Sequence, residues 1–101
     1  MRRLSSEHLE AWRKKISPIM AMQWAPPPVN FIKVNFDVAI QDSFAVGAAI
    51  ARDSEGRVQG AEVASLDVVS PLKGEVEAAK LGVQMACTQG FQHVLLEATL
   101  K

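Results

Sequence analysis

The chain has 101 residues, 49% hydrophobic and 22% charged, which fits one small folded domain and excludes the composition of a disordered chain. Lys plus Arg equal Asp plus Glu at 11 each, so no net charge draws the whole molecule to phosphates, membranes or acidic substrates, and any nucleic-acid affinity must be local. No apolar run approaches the ~20 residues of a membrane span, and Met1-Arg2-Arg3 is not followed by the apolar stretch of a secretion signal. An intracellular location is expected, with nucleus, cytoplasm and organelle interior all open. The single cysteine, Cys87, falls in a helical pattern and reads as a buried, inert thiol.

Residues 1–23 read as a helix and linker. Leu4, His8, Trp12 and Ile16 recur at four-residue spacing over 4–17, Ser5 or Ser6 can cap the start, and Pro18 lies just beyond the end. Arg13, Lys14 and Lys15 sit at the negative end of the helix dipole and read as a solvated face rather than a phosphate patch. Trp24 and Pro26-Pro27-Pro28 follow in an extended stretch. Ile32, Val34 and Phe36 alternate with Lys33, Asn35 and Asp37, predicting a half-buried strand that Asp37 closes on its polar face.

Two more strands are predicted over 45–52 and 57–65, joined by the turn Asp53-Ser54-Glu55-Gly56, with Gly56 suited to a left-handed position. Ser70-Pro71 is a cap and first helical residue. Val76, Ala79, Val83 and Ala86 mark one face of a helix ending near Gly90. A fourth strand over 94–98 follows His93, which marks its exposed start, and the right-handed crossover rule lays this strand parallel to an earlier one. The fold class is therefore α/β with a mixed sheet.

Three features occur in order: Trp24 before the prolines and the strand Lys33-Val34-Asn35-Phe36-Asp37; the hairpin from Val46 to Gly56; and the helix segment Glu75-Val76-Glu77-Ala78-Ala79. Together they resemble the ribonuclease H-like domains of the plant reverse-transcriptase-associated type, over residues 24–101. That resemblance implies hydrolysis of the RNA strand of RNA–DNA hybrids by two Mg ions. Carboxylates on the first strand, near the start of the crossover helix and at the end of the fourth strand would hold the ions, because magnesium prefers hard oxygen ligands and paired ions activate water. Asp37 and Glu75 match the first two positions as catalytic and metal-binding residues.

The chain departs from the pattern at three places. Thr99 stands where the third aspartate is expected, so two divalent ions would be held by fewer charges, with a rate loss on the order of 10² to 10³. The sequence stops at Lys101, before the resemblance's fifth strand, later helices and late histidine and aspartate, and so reads as C-terminally incomplete. Val38 replaces a glycine and is expected to obstruct backbone approach by substrate. Glu97 is too far along the strand to replace the missing ligand, at about 6.6 to 6.8 Å per two residues. Glu77 points away from Glu75, and Asp42, Asp53 and Glu55 read as turn or surface charges.

The competing readings are a nuclease with Asp37 and Glu75 as surviving ligands, and a non-catalytic remnant that binds nucleic acid or a protein. An incomplete gene model is a third. Val94, Leu95 and Leu96 would form an unprotected edge, an association hazard unless the N-terminal helix, anchored by Trp12 and Ile16, covers part of the vacated face.

Overall fold

Alternation along Ile32–Ile40 sends Ile32, Val34, Phe36, Val38 and Ile40 to one face and Lys33, Asn35, Asp37 and Ala39 to the other, and this segment forms strand β1. The computed structural model describes residues 10, 24–40, 44–67 and 70–99. After β1, β2 (Ala45–Arg52) and β3 (Val58–Leu66) form an antiparallel hairpin, helix α1 (Pro71–Gln89) crosses over, and β4 (Val94–Ala98) returns parallel to β1. The sheet order is β3-β2-β1-β4. Asp37 lies opposite Ala48 of β2, and Phe36 opposite Ala98 of β4.

The order of elements matches the expectation from sequence, as do the bounds of β2 and β4. Two details differ. β1 runs on past Asp37 to Ile40, because Val38 and Ile40 continue the apolar alternation under α1. It is also buried on both faces rather than half-buried, with Lys33, Asn35 and Asp37 all less than a tenth exposed. The helix read over residues 4–17, its anchors Trp12 and Ile16 and its basic cluster lie outside the described residues, except Glu10, which is helical and exposed. Asp42 lies outside them as well.

Small side chains let α1 approach the sheet closely. On the side facing it, β2 presents Ala45, Gly47, Ala49 and Ala51, and β1 presents Val34, Phe36 and Val38. The helix answers with Gly74, Ala78, Leu81, Gly82, Met85 and Ala86, its buried positions. A Cβ added at Gly82 would lie 3.1 Å from both Val34 Cγ1 and Leu96 Cδ1, and one added at Gly74 would lie 3.1 Å from Val38 Cγ2. Of the face predicted from Val76, Ala79, Val83 and Ala86, Ala86 is buried and Ala79 packs against the core, whereas Val76 and Val83 are about half exposed, at 48% and 49%. The face that packs combines the small Gly74, Ala78, Gly82 and Ala86 with the larger Leu81 and Met85. Cys87, expected to be buried, is exposed, since it projects from the helix away from the sheet-facing positions.

Ser70 caps α1 by accepting a hydrogen bond from the Lys73 N–H at 3.2 Å, and Pro71 fits the first turn without needing a donor. Gly90 closes the helix in the left-handed region at φ 76°, and the N–H of Phe91 reaches the carbonyl of Ala86. The β2–β3 turn depends on Asp53, whose Oδ1 accepts from the N–H groups of Glu55 and Arg57, both at 2.9 Å. Its Oδ2 accepts from Arg57 Nε and Gln59 Nε2. Gly56, at φ 83°, takes the left-handed position that the sequence assigned to it.

Two outcomes follow from this packing. Gly74→Ala adds helix propensity worth about 1 kcal/mol but overpacks against Val38 at a cost of about 1 to 3 kcal/mol. The substitution should be neutral to destabilising in the native chain and stabilising in a Val38→Ala background; urea unfolding of the four variants reads the coupling. At the turn, partial desolvation pushes the Asp53 carboxyl up, but the hydrogen bonds from Arg57 and Glu55 and the charge of Arg57 outweigh it and lower the pKa. A depressed folded pKa contributes stability above the unfolded value of about 4, lost as pH falls through the folded value. The thermal-midpoint advantage of the native chain over Asp53→Asn should therefore be full at pH 6 and shrink as pH falls below about 4.

Candidate functional site

The face of β1 turned away from α1 carries a column of buried polar groups. Asp37 is 3% exposed, and its Oδ1 accepts the Val38 N–H at 2.8 Å. The Thr99 N–H donates to the Phe36 carbonyl at 2.9 Å, which carries the parallel ladder just beyond β4. Thr99 thus follows Ala98 into the place beside Asp37, and alternation puts its side chain on the Asp37 face. Its Oγ1 is buried and makes no hydrogen bond. A buried hydroxyl without a partner is costly, typically by about 1 to 3 kcal/mol.

Glu75 arrives from the other side of the sheet. The contact of Gly74 with Val38 and Ile40 sets the first turns of α1 over the C-terminal end of β1, the end that also holds Asp37 and Thr99. At about 100° per residue, Glu75 lies between the sheet-facing positions and the helix flank that overhangs β4. The structure therefore brings Asp37 and Thr99 together as strand neighbours and holds Glu75 at the same end on the helix. Glu77 turns toward the opposite flank, where it pairs with Lys80 at 3.3 Å and lines a shallow groove against β3.

Glu97 is held by its own partners. Its Oε1 accepts from Asn35 Nδ2 at 3.2 Å, and its Oε2 lies 3.5 Å from Lys33 Nζ. Lys33 also donates to the Ala25 carbonyl at 2.7 Å. The Lys33 ammonium and the Arg52 guanidinium lie 5.9 and 5.3 Å from the centre of the Trp24 ring. This aromatic and basic cluster was missed in the sequence, where Trp24 reads as part of a linker and Lys33 as a solvent-facing strand residue. The usable signal was a Trp eight to nine residues before a Lys-containing strand, which by itself is weak. His93 is exposed as expected, with its ring centre 5.3 Å from that of Phe31.

The structure overturns the expected role of Val38. Its side chain packs against Gly74 under α1 and so lies on the opposite face from Asp37. It cannot obstruct an approach to the Asp37 face directly; its bulk is taken up by the missing Cβ at position 74.

No protein-family model matches the chain, and no curated protein matches it by sequence. Among solved structures, the chain is similar to an RNase H1 from the halophilic archaeon Halobacterium salinarum NRC-1, with a TM-score of 0.63 and 15% identity, over 70% of this chain and 55% of that one. The fold is ribonuclease H-like. At that identity the likeness is one of backbone path: a mixed sheet with three antiparallel strands, a crossover helix and a parallel fourth strand. The chain spans about half of the archaeal protein's length.

Within this ribonuclease H-like fold, the donors at the C-terminal end of β1 do not fit a pair of Mg ions. On that face one carboxylate, Asp37, stands beside the neutral hydroxyl of Thr99, too little charge to offset the repulsion between two dications. Among the described residues, no three His, Cys, Asp or Glu side chains are grouped to hold a metal. Glu97 instead acts as a clasp between β4 and β1. Glu97→Ala should lower stability by about 1 to 3 kcal/mol, because it leaves the mostly buried Lys33 ammonium short of a charged partner. Urea unfolding should show a lower midpoint with an unchanged slope.

Proposed function

We propose that this chain is a ribonuclease H-like domain of the plant reverse-transcriptase-associated kind, one that engages RNA–DNA hybrids and cleaves their RNA strand weakly or not at all. The observation that carries this reading is the Thr99 hydroxyl, buried beside Asp37 without a hydrogen-bond partner. The fold shared with an RNase H1 supports the hybrid as the class of ligand. Recognition of the RNA strand would run through its 2′-hydroxyls. Asp37 and Glu75 are the surviving acidic pair, and Mg is the cofactor they would take, with one carboxylate fewer than two ions require. With zero net charge, binding would be local and sensitive to salt.

The test combines cleavage and metal binding. A hybrid labelled on its RNA strand and incubated with Mg²⁺ should be cut on the order of 10² to 10³-fold more slowly by the native chain than by Thr99→Asp. Thr99→Asp should also gain a Mg-dependent rise in thermal midpoint that the native chain lacks. Rapid cleavage by the native chain that Asp37→Asn abolishes would refute the impaired-site reading, and a Thr99→Asp chain that neither cuts nor responds to Mg would refute the role given to position 99.

A further inference from the structure

The sheet is sealed on both faces, and the described residues account for only one of the seals. α1 lies across the face that carries Val34, Phe36 and Val38. On the reverse face Ala39, Val46, Ala48 and Ile50 are at most 5% exposed, and Asn35 and Asp37 are 3% exposed. Neighbouring strands about 4.8 Å apart shield a side chain from its flanks but not from above, so water against this face would reach the tips of Val46 and Ile50. Among the described residues, the apolar side chains beside these positions are Phe44 and Val63, both themselves partly exposed. Exposure returns at both margins of the face: Ala61, opposite Ile50 on β3, is exposed, and Leu95, opposite Lys33 on β4, is 39% exposed. The seal is therefore a body that covers β1 and β2 and little more, a strip about 10 Å wide, which is the width of one helix.

We infer that this body is segment 1–23 of the same chain, lying along β1 and β2 as a helix, and that it holds the Asp37 end of the face closed. The other stretches outside the described residues, 41–43, 68–69 and 100–101, are of three residues or fewer and too short to cover two strands. The helical repeat over 4–17 spans about 21 Å, against about 26 Å for the eight residues of β2. Its stripe of Leu4, His8, Trp12 and Ile16 supplies large side chains, and Ala39 and Ala48 are short enough to admit them. Glu10 agrees with this placement: it lies two positions from both His8 and Trp12, about 200° round a helix from the stripe, and it is helical and exposed. The segment also ends where the cover must, because Trp24 stands on the reverse face over Lys33 and Arg52. Ala48 is directly opposite Asp37 in the β1–β2 register, so whatever seals Ala48 stands beside the Asp37 carboxylate. On the hybrid-cleaving reading, on which this last consequence alone rests, an RNA strand meets Asp37 only when the segment lifts, and the segment is an autoinhibitory cover.

Thiol accessibility in the full chain tests the placement. Cys87→Ser removes the exposed native thiol, and Ala48→Cys puts a thiol opposite Asp37. N-ethylmaleimide should label position 48 on the order of 10²-fold more slowly than it labels Cys87 in the native chain, because labelling waits for local opening. Val46→Cys, which adds no volume to the face, repeats the measurement should the Ala48 variant unfold. Trp12→Asp combined with Ile16→Asp should speed labelling on the order of 10-fold, whereas Lys14→Asp, on the Glu10 side of the helix, should leave it unchanged. Circular dichroism of each variant separates lifting of the segment from unfolding of the sheet. Labelling of the folded chain at the Cys87 rate would show the face open, and equal rates in the stripe and Lys14 variants would show a different cover; either result overturns the inference. Neither readout uses cleavage, so a chain that cuts nothing leaves the placement standing. Where Thr99→Asp cleaves a hybrid, the stripe variant should raise that rate several-fold, and an unchanged rate would overturn the inhibitory role alone.

Discussion

The close approach of α1 to the sheet is the constraint on which the rest of the structure depends. It exists because β2 offers only Ala45, Gly47, Ala49 and Ala51 on that side while the helix offers Gly74, Ala78 and Gly82. Side chains of ordinary size at these positions would lift the helix, and interiors packed near crystal density do not absorb even a methylene without strain. Val38 and Gly74 are a matched pair within this contact, the bulk of one filling the absence in the other. The same contact fixes the register of Glu75 along β1, so the packing of small residues decides where an acidic side chain stands relative to Asp37.

On the other face of β1 the physics is different. Lys33, Asn35, Asp37 and Arg52 are each less than a tenth exposed, and burying such groups costs stability unless they are hydrogen-bonded or paired. Lys33 meets this demand with Glu97, the Ala25 carbonyl and the Trp24 ring, tying the segment before β1, the central strand and the last strand together. Asn35 adds the second bond to Glu97. The column ends at Asp37 and Thr99, where the hydroxyl is left without a partner. A paired network at one end of the strand thus gives way to an unpaired hydroxyl at the other.

The helix carries two apolar faces. Its smallest residues meet the sheet, whereas Leu72, Val76 and Val83 lie along the opposite side and flank and remain open.

The sequence by itself determined the elements and their order. Alternation from Ile32 to Asp37, turn chemistry at Asp53 to Gly56, the Ser70-Pro71 start and the Gly90 stop act over a few residues, and local rules read them without knowledge of their partners. Only the tertiary structure decided which face of each element is inside. Lys33, Asn35 and Asp37 look solvated in the sequence and are buried; Cys87 looks buried and is exposed; Val76 and Val83 look like the core face and lie outside it. Burial depends on what packs from a distance, and here the packing is set by missing side chains, at Gly74 and Gly82, that a search for large apolar residues does not weigh. The nearness of Thr99 to Asp37 is of the same kind, since a parallel pair separated by a hairpin and a helix takes its register from the crossover and not from any local signal.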